Sequence, residues 1–332
     1  MAQSANSKGT DKVILKLQKS VEEGNYYEAH QMYRTVCNRY VKQSKFDKAI
    51  ELLTSGASTL LKHGQSGSGT DLILYLLEVY KLNQVQVSDE TKARLIELLQ
   101  QVPSSEPGRK SLYSAAINWS AKFGDNPNGS PGLYHAIGAI LAKEGSLQQA
   151  ESYLLHGTEE SAKLLAEILV QWNEQEEFKS SGSSVVRGVV QYLYLQNFRD
   201  AKIYLEEFTR KLLEKRPDLK GETVPFLPRP DSQPIDVLTY KLPLINFAQF
   251  LLLAAQREST EVFFALRNQY GGELSRVDKG YDQILEKLGE MYFGIQQRRP
   301  NNILQDLMSS LFAAPTNTPT IGHSSGPQAD LD

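Results

Sequence analysis

The 332-residue sequence contains a single cysteine, Cys37, so no internal disulfide and no multi-thiolate metal site can form. That usage fits a reducing compartment. No run of about 18 apolar residues occurs anywhere, and the polar start "MAQSANSKGTDK" lacks the apolar stretch of a signal peptide. A soluble, cytoplasmic protein without direct membrane insertion is the expectation. A net charge of -3 argues against a whole-surface nucleic-acid binder. Alternation of period two is also missing, and with it the signature of a large sheet.

Signs of catalysis are equally scarce. The five histidines, at 30, 63, 135, 156 and 323, show no metal-ligand spacing. Cys37 inside "RTVCNRY" reads as a buried structural thiol on an amphipathic helix. The stretch "GQSGSGTDLILYLLEVY", Gly64 to Tyr80, invites a phosphate-loop reading, but Thr70 and Asp71 stand where lysine and a hydroxyl residue are required. An aspartate there repels phosphate. The preceding "FDKAIELLTSGASTLLKHG" is moreover helical in pattern, where a phosphate loop needs a strand. No enzyme activity, cofactor or metal is expected.

What is present is helix. Apolar residues recur three and four apart in "KVILKLQKSVEEG", "ARLIELLQQV", "SAKLLAEILVQW" and "GYDQILEKLGEMYFGI". Breakers, including Gly24, Ser44, the run from Gly64 to Gly69 and the serines from 180 to 184, fall every 15 to 25 residues. At four joints a bulky residue is followed three positions later by alanine: Tyr26 and Ala29, Phe46 and Ala49, Leu147 and Ala150, Phe198 and Ala201. A bulky residue in the first turn plugs the seam between helices, and the alanine lets the neighbour approach closely. This is the look of tetratricopeptide-like helix pairs. The irregular spacing predicts an all-α, right-handed α-solenoid rather than a strict repeat array.

One segment departs from the pattern. Residues 216 to 234, "RPDLKGETVPFLPRPDSQP", carry five of the fourteen prolines, which excludes helix there. A short β-hairpin near 222–232 or a plain surface loop are the two readings, and Val224, Phe226 and Leu227 offer apolar surface to a partner. The expected organisation is a disordered start (1–9), an N-terminal half (10–150), a C-terminal half (151–312) and a disordered tail (313–332). The tail is rich in Pro, Ser, Thr and Gly.

Charge is distributed unevenly. The first 63 residues hold ten Lys or Arg against six Asp or Glu. Lys12, Lys16 and Lys19 form one stripe of the first helix, and His30 and Arg34 stand four apart on the second. Asp71 and Glu78, seven residues apart, share a face of the fourth helix. Asp71 or Thr70 reads as a helix cap and the lysines as a solvated face; the alternative for both sets is a charged partner surface. "NNILQDLMSSLF" places Ile303, Leu304, Leu307, Met308 and Leu311 along one helical face, either a closing helix or a second partner seat.

The words "YYEAHQ", "NRY", "AIELL", Gly-Ser-Gly-Thr-Asp, "YLLEVY", "NWS" and the closing "NNILQDLMSSLF" resemble the Golgi-to-ER traffic protein four family, over most of residues 10 to 312. The resemblance implies a non-catalytic helical scaffold of tail-anchored membrane-protein targeting. It implies an N-terminal half that docks a dimeric targeting ATPase and a C-terminal half that clamps the N-terminal segment of a ubiquitin-like-domain protein. Through the latter it implies an indirect link to a glutamine-rich tetratricopeptide co-chaperone. Carried over, the ATPase-docking residues are Lys12, Lys16, Lys19, His30, Arg34, Asp71 and Glu78. For the ubiquitin-like partner they are Val224, Phe226, Leu227, Leu304, Leu307, Met308 and Leu311. A generic helical-repeat scaffold of another cytosolic assembly is the alternative with the same fold.

Overall fold

The computed structural model describes residues 15–227 and 233–295, residue 18 excepted. The segments expected to be disordered, 1–9 and 313–332, and the helix 303–311 with Leu304, Leu307, Met308 and Leu311, lie outside the described residues.

The chain is an α-solenoid with a small sheet inserted late. Helix α1 covers residues 15–17 and 19–22. It is followed by α2 (Tyr26–Lys42), α3 (Phe46–Lys62), α4 (Ser66–Leu82), α5 (Asp89–Gln101), α6 (Arg109–Phe123), α7 (Pro131–Lys143) and α8 (Leu147–Leu154). Next come α9 (Glu159–Gln175), α10 (Ser181–Tyr194) and α11 (Phe198–Lys215). A 3-10 turn (Pro217–Leu219) leads into strands β1 (Lys220–Phe226) and β2 (Ile235–Tyr240), then α12 (Pro243–Gln256), α13 (Thr260–Val277) and α14 (Gly280–Phe293). Packing is mainly between helices one or two apart in order: α3 lies on α4, α5 on α7, α9 on α11, α10 on α12. Such nearest-neighbour packing defines a solenoid.

The joints follow one local rule. At Gly24, Ser44, Gly64, Gly145, Gln196 and Glu258 the backbone is left-handed, with φ between 53° and 76°. The next N–H reaches back five residues, as in Asn25 to the Ser20 carbonyl and Gln65 to the Leu60 carbonyl. This closes each helix while its successor starts two residues after the left-handed one. The bulky-residue-and-alanine signature sits where expected: Tyr26, Phe46, Leu147 and Phe198 open their helices. Ala29, Ala49, Ala150 and Ala201 are fully buried.

The Gly-rich stretch is a further copy of the same joint. Gly64 takes the left-handed position, Ser66 opens α4, and Gly69 occupies the place of the buried alanine. A β-carbon on Gly69 would lie 2.5 Å from Leu61 Cγ. Close approach of α3 therefore explains this glycine. This corrects the expected helix start: Thr70 and Asp71 lie in the second turn of α4 and do not cap it. The break expected at serines 180 to 184 falls slightly earlier, at residues 176–180, because α10 already begins at Ser181. In both cases small residues read as a loop are tolerated in helix, with Gly69 in the first and Ser181 and Gly182 in the second buried against a neighbour.

The Pro-rich segment does leave helix. β1 and β2 pair antiparallel, with Phe226 opposite Ile235 and Val224 opposite Val237, so the hairpin spans 220–240 rather than 222–232. A two-stranded sheet alone is marginal in water and needs a support. Here α12 supplies it. Asn246 of α12 receives the Tyr240 N–H (2.8 Å) and donates to the Tyr240 carbonyl (2.7 Å), while Gln249 donates to Leu238 (2.9 Å). Phe226 stacks near Phe250 with ring centroids 4.9 Å apart.

Candidate functional site

The N-terminal charges form a cluster between α2 and α4. His30 and Arg34 lie one turn apart on α2, and both reach across to Asp71 on α4. The His30 Nε2 is 2.7 Å from Asp71 Oδ2, and Arg34 Nη1 donates to Oδ1 at 2.6 Å and Oδ2 at 2.5 Å. The Arg34 guanidinium also lies over the Tyr75 ring, 5.4 Å from its centroid. Partial burial pushes the Asp71 carboxyl up, but the hydrogen bonds and charges of Arg34 and His30 outweigh it and hold the group below its ordinary value. The same hydrogen bond from Arg34 to Asp71 raises the guanidinium. Glu78, exposed farther along α4, makes no hydrogen bond among the described residues but acts on Arg34 through its charge.

The bases and acids that the sequence separates into two groups thus meet inside one chain. Lys16 and Lys19 stay apart from this cluster, with weak exposed pairs to Glu28 (3.4 Å) and Glu23 (3.5 Å). Exposed pairs of that kind hold little and leave the lysines available to a partner. Lys12 lies outside the described residues. Sequence reasoning missed Tyr75; its place one turn after Asp71 on the same face is a signal that was there to use.

At the hairpin, Val224 and Phe226 are half-buried and Leu227 is exposed, so the three do not form one open patch. Phe226 is committed to Phe250, while Leu227 at the strand end keeps 54 % of its surface in water.

Among the described residues no set of three His, Cys, Asp or Glu comes together as a metal site, and no described helix is long and apolar enough to cross a membrane. Cys37 is fully buried, and that burial pushes its thiol up to about 12, which keeps it protonated and inert. Gly67 and Gly69 lie within α4, so the glycine run has no phosphate-cradling loop.

Comparison with known proteins decides the family. Residues 43–312 match the family described as Golgi to ER traffic protein 4. The chain belongs to the Golgi to ER traffic protein 4 family. It is 36 % identical over 315 residues to "Golgi to ER traffic protein 4" of Aspergillus fumigatus, covering 91 % of this chain and 89 % of that one. It is 32 % identical over 313 residues to the Homo sapiens homolog, covering 93 % and 89 %. A solved structure described as "Crystal structure of C. therm. Get4" superposes with a TM-score of 0.80 at 34 % identity, covering 96 % of this chain and 99 % of that one. The family match takes in Asp71 and Glu78, while His30 and Arg34 precede its first residue.

Proposed function

We propose that this chain is a non-enzymatic cytoplasmic scaffold for targeting tail-anchored membrane proteins to the ER. Its N-terminal half docks the dimeric targeting ATPase and modulates it. Its C-terminal half holds a ubiquitin-like-domain protein, and through it a glutamine-rich tetratricopeptide co-chaperone. The observation that carries this reading is the charged cluster on α2 and α4, in which Arg34 and Glu78 are exposed, Asp71 is half-buried and His30 is mostly buried. A constellation of both signs on a rigid helix pair selects a partner by complementarity, with no substrate chemistry required.

The cluster also refines the division of labour. Asp71 is neutralised within the chain, so Glu78 is the acid free to meet a basic residue of the ATPase. Arg34 uses only Nη1 on Asp71, which leaves Nε and Nη2 for a partner acidic group. Lys12, Lys16 and Lys19 extend the basic side. The test is ATP hydrolysis by the purified ATPase at saturating scaffold, comparing the wild type with Glu78→Lys and with Asp71→Lys/Glu78→Lys. Both variants are expected to bind while shifting the hydrolysis rate. Rates equal to wild type in both would end the regulatory part of the proposal.

A further inference from the structure

The grip of Asp71 on Arg34 fixes one atom of the guanidinium and not its plane. Both carboxylate oxygens accept from the same nitrogen, Nη1, at 2.6 and 2.5 Å. A two-nitrogen fork would hold the guanidinium flat against the carboxylate, whereas attachment through one nitrogen leaves it free to pivot. Arg34 is exposed, and its Nε and Nη2 make no hydrogen bond among the described residues. A carboxylate of a partner is gripped side-on only when both of those donors point the same way.

Tyr75 supplies the missing restraint. It stands one turn after Asp71 on α4, between that acid and the exposed Glu78. Its ring is half-buried and packed against the core, beside the fully buried Ile73 and Leu76 of the same helix. The face left over lies under Arg34, whose guanidinium carbon is 5.4 Å from the ring centroid, within the range of cation–π attraction. A ring seated in the core does not follow a mobile side chain. The guanidinium therefore conforms to the ring, with Nη1 tied to Asp71 and its plane set by Tyr75. The Glu78 charge acts on both Arg34 and the Tyr75 phenol, which puts the second acid of α4 beside the same ring. The Tyr75 hydroxyl makes no hydrogen bond among the described residues, so the ring face is the part that holds Arg34.

Given the ATPase docking proposed above, we propose that Tyr75 is a positioning residue of that face: its ring sets the plane of the Arg34 guanidinium so that Nε and Nη2 meet one aspartate or glutamate of the partner side-on. Isothermal titration calorimetry of the full chain with the purified ATPase tests this in a double-mutant cycle of Tyr75→Leu and Arg34→Gln. Tyr75→Leu keeps apolar bulk without the π face and should weaken binding about three- to ten-fold, the entropy of ordering one long side chain at the interface. Tyr75→Phe, which keeps the face, should rescue most of that loss. In the Arg34→Gln background Tyr75→Leu should cost nothing further, because the two side chains act as one unit. On the free chain, the NMR order parameter of the Arg34 Nε–H bond should fall in Tyr75→Leu and hold in Tyr75→Phe. Circular dichroism should match wild type in both, and Tyr75→Met replaces the leucine variant if that one unfolds. An unchanged order parameter in Tyr75→Leu, equal losses of affinity in the leucine and phenylalanine variants, or the same loss from Tyr75→Leu without Arg34 would overturn the positioning role while ATPase docking stands. Absence of ATPase binding by the wild-type chain would overturn the docking reading and this role together.

Discussion

The stretches 64–69 and 216–234 both read as breaks in a helical chain, yet they end in opposite structures. The glycines and serines of the first run straight into α4, whereas the prolines of the second leave helix for the β1–β2 hairpin. Glycine costs a helix roughly 1 kcal/mol and keeps every backbone donor, so burial against α3 can outweigh it. Proline removes the donor and clashes with the preceding turn, about 3 kcal/mol or more that no packing partner restores. Weak breakers yield to tertiary contact and strong ones do not.

Substitutions at the two stretches break that comparison most directly. Gly69→Leu forces a side chain into Leu61 and should destabilise the chain by roughly 2–3 kcal/mol, measured by urea unfolding. A midpoint unchanged from wild type would show that α3 and α4 do not need close approach. Phe226→Ala removes the stacking with Phe250 and should cost about 1–2 kcal/mol, with faster amide exchange confined to the hairpin and α12.

Acid separates the two regions next. Asp71 has a folded pKa below its unfolded value near 4, so its contribution is complete above about pH 4 and is lost as pH falls through the lower folded pKa. Amide exchange in α2 and the start of α4 should therefore rise on acidification before it does in strands β1 and β2, where no such charged anchor occurs among the described residues. In Asp71→Asn that selective acid response should vanish. The smallest expected effect is a gain. Gly67→Ala meets only Glu106 Oε2 at 3.9 Å and should stabilise by about 0.5–1 kcal/mol, the opposite sign to its neighbour two residues on. A loss at both glycines would mean that the helix start, and not packing on Leu61, governs the stretch.

Legibility in the sequence divides along the same line. Helix pairs could be read because their determinants are local: a bulky first residue, a small residue three positions on, and a left-handed residue two before the helix. Cys37 could be read as structural because an amphipathic helix fixes which face it takes. The Asp71 cluster could not. Its members stand 37 and 41 residues apart, and no local pattern distinguishes an acid that meets a partner from one that meets its own Arg34. The buried ion pair of Arg109 was hidden for the same reason, since Arg109 finds Glu144 at a separation of 35.

By itself the sequence determined an all-α solenoid with one non-helical insertion, because periodicity and proline act within a turn or two of chain. Only the tertiary structure decided that the glycine run is helix, that Asp71 answers α2 instead of capping α4, and that Arg34 lies over the Tyr75 ring. Those outcomes depend on which helices come to lie side by side, and that is set by burial summed over the whole layer.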